Sequence, residues 1–286
     1  MALGTVGVVG CGLMGSGIAE ISAGAGLKTI VREVTADLLA KGKSRIEKSL
    51  QRAVEKGKAT AEVAQATLSR ISFTTELDAL APCDLVVEAI VENIAEKKKL
   101  FAHLDGVCGP AAVFSSNTSS IPIGDMAAGT KRPQSFVGLH FFNPVPVMKL
   151  VEVVRTLSTS DAAYEVACDF AKRTGKTVVT AKDTPGFVVN LLLVPYLLDA
   201  VRAYEKGIAT KEDIDTGMKL GCGHPMGPLE LLDFVGNDTT LFIADIMSHE
   251  FKDIRYAAPP LLRRMVAAGH NGRKSGRGFY DYSQKK

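Results

Sequence analysis

The sequence predicts an α/β fold, a doubly wound sheet followed by a smaller all-α domain. Three observations predict it. Short β-branched runs alternate with longer helical patterns through the first two-thirds of the 286 residues, which is the signature of βαβ units. The early runs are nearly all apolar, as parallel strands covered on both faces must be. After "KDTPGF" the alternation stops and no further convincing strand follows.

Taken in order, the candidate strands are "TVGVV" (5 to 9), "KTIVR" (28 to 32), "ISFTT" (71 to 75) and "DLVVEAI" (84 to 90). They continue with "AVFSSN" (112 to 117), "FVGLHFF" (136 to 142), "LVEVVR" (150 to 155) and "KTVVTA" (176 to 181). A helical hairpin of about residues 36–70 is inserted between the second and third. Pro185-Gly186 is a turn signal, so a boundary is expected near 184. It separates an α/β domain (1–184) from an all-α domain (185–286) whose helices run to about residue 270. The longest apolar run, 186 to 201, is broken by Asn190, Pro195 and Asp199. It is too short and interrupted to span a bilayer, and reads as a buried core helix.

The composition is that of a soluble globular protein, with 46% hydrophobic and 23% charged residues and a net charge of +3. Such a charge implies no nucleic-acid surface, and no membrane partner is expected. Five widely spaced cysteines without a CxxC pair read as reduced thiols, not as a disulfide frame or metal site. The start carries no basic stretch before its first strand, so no secretory signal is expected. The expected compartment is the cytoplasm, although a mature mitochondrial matrix form would look alike.

Gly10-Cys11-Gly12-Leu13-Met14-Gly15 follows the first strand and opens a helix. Alone, GxGxxG is a weak signal. Here Glu33 stands at the end of the second strand, 18 positions after Gly15, which completes a dinucleotide-binding fingerprint of the Rossmann type. Gly10 permits the tight turn, Gly12 lets backbone approach a pyrophosphate, and Gly15 lets helix pack on strand. The helix N-terminus offers unsatisfied N–H groups and a partial positive charge to phosphates. Glu33 suits a ribose diol and repels a 2′-phosphate, which favours NAD, while neighbouring Arg32 leaves NADP open.

Residues 37 to 58 hold seven basic side chains against three acidic ones. Lys41, Arg45, Ser49, Arg52 and Lys56, spaced 4, 4, 3 and 4, lie along one helix face. A solvated surface and a site for a polyanionic ligand explain this equally well.

The motifs "GVVGCGLMGSGIAE", "DLVVEAIVEN", "SSNTSSIPI", "GLHFFNPVPVMKLVEV", "DTPGFVVN", "HPMGPLELLDFVG" and "GRKSGRGFYDY" run in this order along nearly the whole chain. Together they resemble the 3-hydroxyacyl-CoA dehydrogenase family, close to its short bacterial 3-hydroxybutyryl-CoA members and mitochondrial relatives. The resemblance implies an NAD-dependent interconversion of (S)-3-hydroxyacyl-CoA and 3-oxoacyl-CoA, with an acyl-CoA as partner. Oxidising a hydroxyl carbon needs a base near neutrality, and histidine supplies one. A carboxylate on the other ring nitrogen fixes the tautomer and stabilises the imidazolium.

The family pattern assigns these roles to His140 and Glu152. A lone histidine in an apolar strand is otherwise a core residue bonded to a carbonyl. The resemblance further implies that Ser119 and Asn190 hold the substrate oxygen, against a capping or packing role for each. It assigns Glu92, Lys97, Asn143 and Lys274 to the cofactor, beside Gly10, Gly12, Leu13, Met14, Gly15 and Glu33. It assigns Ser49 and Lys56 to coenzyme A, which favours the ligand reading of the basic face, and it implies a homodimer through the C-terminal helices. Two rival readings are a free hydroxy-acid dehydrogenase of the gulonate branch and a non-catalytic, crystallin-like NAD-binding protein. Leu191, where many members carry arginine, and Glu33, where aspartate is commoner, depart from the pattern.

Overall fold

The structure, a computed structural model, describes residues 3–283. The chain divides into two compact units, the first ending at Thr184 and the second starting at Pro185.

The first unit is built on one eight-stranded sheet. Its strands are β1 (Thr5–Val9), β2 (Lys28–Arg32), β3 (Ile71–Thr74), β4 (Leu85–Glu88), β5 (Val113–Ser116), β6 (Phe136–Phe141), β7 (Leu150–Arg155) and β8 (Thr177–Lys182). They lie in the order β3-β2-β1-β4-β5-β6-β7-β8. Every pairing is parallel except β6 with β7. Every residue of β4, β5 and β6 is buried, as in parallel strands covered on both faces, and that includes the polar residues Glu88, Ser115, Ser116 and His140. The strand order reverses between β1 and β4, and such a reversal opens a crevice at the carboxyl ends of the strands.

Six helices cover the sheet: α1 (Leu13–Gly24), α2 (Ala36–Glu55), α3 (Ala61–Ser69), α4 (Ile94–Val107), α5 (Ile123–Ala127) and α6 (Asp161–Arg173). Thr35, Thr60, Asn93 and Ser160 cap α2, α3, α4 and α6, each side chain accepting from the first turn's N–H groups. Helix α1 differs, because Gly12 stands at its N-cap and no side chain caps it. Its first N–H groups are therefore offered to some other acceptor.

One face of the sheet packs Val6, Val8, Ile18, Val31, Val87, Leu139, Val153 and Phe170 into a continuous core. On α4, β5 and β6, Phe101 meets Phe136 edge-on at 4.5 Å and Phe114 at 5.8 Å. Each fully buried side chain of this size contributes roughly 1.5–3 kcal/mol of transfer free energy.

The second unit holds α7 (Val189–Glu205), α8 (Lys211–Cys222), α9 (Pro228–Val235), α10 (Asn237–Phe251) and α11 (Pro260–Ala267). Val194, Leu197, Leu198, Val201, Leu229, Leu232, Met247 and Leu262 form its core. The C-terminal segment carries isolated bridges at Gly272, Arg277 and Asp281. Two buried aspartates bind that segment to the helices. Asp233 accepts from the N–H groups of Phe279 and Tyr280, each at 2.9 Å, and Asp215 accepts from Tyr280 Oη at 2.8 Å. Among the described residues, no helix is long and apolar enough to cross a membrane.

Candidate active site

The antiparallel β6–β7 pair sets the first constellation. Its register places His140 directly opposite Glu152, and directly opposed side chains share one face of the sheet within about 5 Å at Cβ. His140 Nδ1 lies 2.6 Å from Glu152 Oε2. His140 is 6% exposed and Glu152 is fully buried. The Phe142 ring lies 4.6 Å from the imidazole. A charged carboxylate in this position favours a proton on Nδ1 and would stabilise an imidazolium. β6 runs parallel to β5, so His140 sits towards the same edge as the carboxyl ends of the parallel strands, where open α/β sheets bind ligands.

The second constellation is the turn after β1. Gly10 has φ +92°, and a Cβ there would stand 2.5 Å from the Ala89 carbonyl oxygen. A Cβ on Gly15 would lie 1.8 Å from the Gly10 carbonyl oxygen. Around Gly12 the opposite holds: nothing lies within 4 Å of where its Cβ would be. Two glycines are therefore required by packing, and the third leaves open space beside the uncapped start of α1. Leu13 is exposed and Met14 half-buried at that start. Glu33 Oε2 accepts from Cys11 N and its Oε1 from Val34 N, both at 2.8 Å, which holds the carboxylate beside the turn. This cradle and acidic residue fit a dinucleotide. The Cys11 thiol is pushed up to about 11 by burial, with Glu33 adding to the effect and Arg45 opposing it, so it stays a thiol.

A third group was read only in part from the sequence, which named Lys97 and Glu92 but not Glu88. Lys97, on α4, is 1% exposed. Its ammonium lies 2.7 and 2.8 Å from the two oxygens of Glu88 and 3.0 Å from Glu92 Oε2. Its three donors thus meet three carboxylate oxygens. Glu88, at the end of β4, also accepts from Ile90 N at 2.7 Å and Ser116 Oγ at 2.5 Å. Thr118 Oγ1 donates to Glu92 and accepts from Ser120 N at 3.3 Å and Ile121 N at 2.9 Å. Lys97 was expected at the cofactor; the structure buries it and leaves half-buried Glu92 as the more open member. Asn117 was missed as well. Its Oδ1 accepts from Phe141 N at 2.9 Å and so ties the end of β5 to the end of β6. The available signals were polar residues closing apolar strands, "LVVE" and "SSNT".

The remaining expected residues are placed as follows. Ser119 is half-buried just past the end of β5, and Asn143 is exposed just past β6. On α2, Lys41, Arg45 and Arg52 are exposed and Ser49 is half-buried; exposed Lys56 is the C-cap. Arg45 Nη1 donates to the Cys11 carbonyl at 3.3 Å, so part of the basic face reaches the glycine turn. Ser49 hydrogen-bonds Glu20 of α1, whose carboxyl is nonetheless raised above its usual range by burial. In the second unit, Asn190 is the second residue of α7 and half-buried, and Lys274 pairs with Asp238 at 2.7 Å.

Comparison with known proteins adds four findings. The family described as "3-hydroxyacyl-CoA dehydrogenase, NAD binding domain" matches residues 5–184, and its C-terminal domain matches residues 186–282. A 3-hydroxybutyryl-CoA dehydrogenase of Mycobacterium tuberculosis is 55% identical over 283 residues, covering 98% of this chain and 99% of the relative. The human mitochondrial hydroxyacyl-coenzyme A dehydrogenase is 50% identical over 283 residues, covering 96% of this chain and 90% of the relative. A solved (S)-3-hydroxybutyryl-CoA dehydrogenase from Ralstonia eutropha superposes with a TM-score of 0.95 at 44% identity, covering 99% of this chain and 100% of that one.

Proposed function

The chain belongs to the 3-hydroxyacyl-CoA dehydrogenase family, and from that premise we propose that His140, oriented by Glu152, is the base of its reaction. The protein is an NAD-dependent oxidoreductase that interconverts (S)-3-hydroxyacyl-CoA and 3-oxoacyl-CoA. Similarity to 3-hydroxybutyryl-CoA dehydrogenases favours a short acyl chain.

Bound NAD supplies the hydride acceptor. The protein's own residues do the rest. With Nδ1 committed to Glu152, His140 takes the substrate hydroxyl proton at Nε2, and Glu152 stabilises the imidazolium that forms. In the reverse direction the imidazolium returns that proton to the substrate oxygen. Ser119 holds the same oxygen, and Asn190 is assigned to the substrate as well. The open start of α1 takes the pyrophosphate and Glu33 the ribose diol. Glu92, Asn143 and Lys274 serve the cofactor's other half. The thioester's nucleotide end lies on the α2 face, with Ser49 and Lys56 as contacts and Lys41, Arg45 and Arg52 supplying charge for its phosphates.

We further assign a homodimer formed through the second unit, whose Leu192, Phe234 and Phe242 are exposed. The cytoplasm is the proposed compartment, with the matrix as alternative, because the relatives include bacterial and mitochondrial proteins.

The observation that carries the reading is the buried 2.6 Å His140–Glu152 contact at matched register. The experiment is NADH oxidation followed at 340 nm with acetoacetyl-CoA, beside free acetoacetate and beside NADPH. Turnover with thioester and NADH alone is expected. Equal turnover on the free acid would move the protein to the free hydroxy-acid branch, and none on either would overturn the base assignment.

A further inference from the structure

This inference rests on the proposed function, which fixes two ends of a path across the first unit. Pyrophosphate goes to the start of α1, directly after β1, and the reacting carbon goes to His140 on β6. In the sheet, β4 and β5 lie between those strands, and three strand spacings span about 14 Å. The nicotinamide half must therefore cross the carboxyl ends of β4 and β5, where Glu88, Glu92, Ser116 and Thr118 lie.

Hydrogen-bond direction fixes the charges there. Every partner of Glu88 is a donor: both contacts from Lys97, Ile90 N–H and the Ser116 hydroxyl. Thr118 Oγ1 already accepts from two N–H groups, so its proton goes to Glu92. Both glutamates are then acceptor-only carboxylates, and Lys97 with three donors engaged is an ammonium. Two negative charges and one positive leave −1, with its more open face at Glu92.

We propose that the Glu88–Lys97–Glu92 cluster sets how tightly the enzyme holds NAD+ relative to NADH. The nicotinamide ring is cationic when oxidised and neutral when reduced, and the rest of the molecule keeps its charge. A fixed net negative charge beneath the ring favours the oxidised form alone. Glu88 and Lys97 are positioning residues in this scheme: Lys97 holds Glu92 in place, and Glu88 supplies the charge that keeps the cluster from being neutral. For one unit charge at roughly 10 Å and an effective dielectric of about 35, Coulomb's law gives a change of about fivefold in the affinity ratio.

The test titrates the full-length protein with NAD+ and with NADH separately by calorimetry. Glu88→Gln makes the cluster neutral, so the Kd for NAD+ should rise about fivefold while that for NADH stays within twofold. Glu92→Gln removes the same charge at the open face and should do likewise. The Glu88→Gln, Lys97→Met double variant returns the net charge to −1 and should bring the ratio back towards wild type. A purely structural lock predicts the opposite order, with the double variant worst and both nucleotides weakened together. An unchanged ratio in both Glu88→Gln and Glu92→Gln, or no recovery in a folded double variant, overturns the proposal. Wild-type protein that binds neither nucleotide would overturn the functional reading, and this inference with it.

Discussion

A carboxylate as fully buried as Glu152 is stable only where partners answer it, and the imidazole of His140 answers it at 2.6 Å. Replacing it by glutamine keeps the volume and removes the charge that, in the proposed reaction, stabilises the imidazolium. Glu152→Gln should lower kcat by about 10²–10³-fold and leave the NADH Kd unchanged, as steady-state rates and calorimetry would show. A second residue-scale prediction concerns the thiols. Burial pushes Cys11 and Cys108 up to about 11 and Cys83 up to about 12. Thiolate is the reactive form, so at pH 8 an aromatic disulfide reagent should titrate exposed Cys222 first and half-buried Cys168 more slowly. The other three should react only on unfolding. At this scale the sequence was legible where a motif joined two residues, as for His140 and Glu152. Glu88 was not: as one acidic residue in a strand run, it gives no sign of the lysine nine positions on that pairs with it.

Helix α2 shows how much an element can hide. Its amphipathic spacing made the basic face readable, but nothing marked Gly42 on its inner face. A Cβ there would stand 2.1 Å from Cys11 Sγ and 2.6 Å from the Cys11 carbonyl oxygen, so this glycine lets α2 close onto the cofactor turn. Alanine would gain up to about 1 kcal/mol of helix propensity, against roughly 1–3 kcal/mol for overpacking. Gly42→Ala is predicted to lose about 1–2 kcal/mol, to lower Tm by several degrees, and to raise the KM for NADH. A melting temperature at or above wild type would show that the turn gives way freely. The strands were legible almost residue by residue, because burial on both faces favours runs of apolar side chains. The pairing of β6 with β7 was less so. Adjacency of the two segments was readable, but their antiparallel register, which makes residues 140 and 152 neighbours, appears only when the sheet is assembled.

For the whole molecule, the change from alternating strands to successive helices was visible in the sequence. The two family matches, 5–184 and 186–282, meet where that pattern changes. The proposed homodimer came from the family resemblance alone, since Leu192, Phe234 and Phe242, exposed in the second unit, look in sequence like any core residue. The homodimer assignment predicts a light-scattering mass twice the 30.4 kDa of one chain, and a mass of one chain at micromolar concentration would refute it. In the proposed reaction one base carries the proton transfer, and His140→Ala assayed at 340 nm with acetoacetyl-CoA and NADH isolates it. Losing a general base should lower kcat by about 10³–10⁴-fold while NADH still binds with wild-type affinity. Turnover within tenfold of wild type would contradict the account and leave His140 as a core histidine.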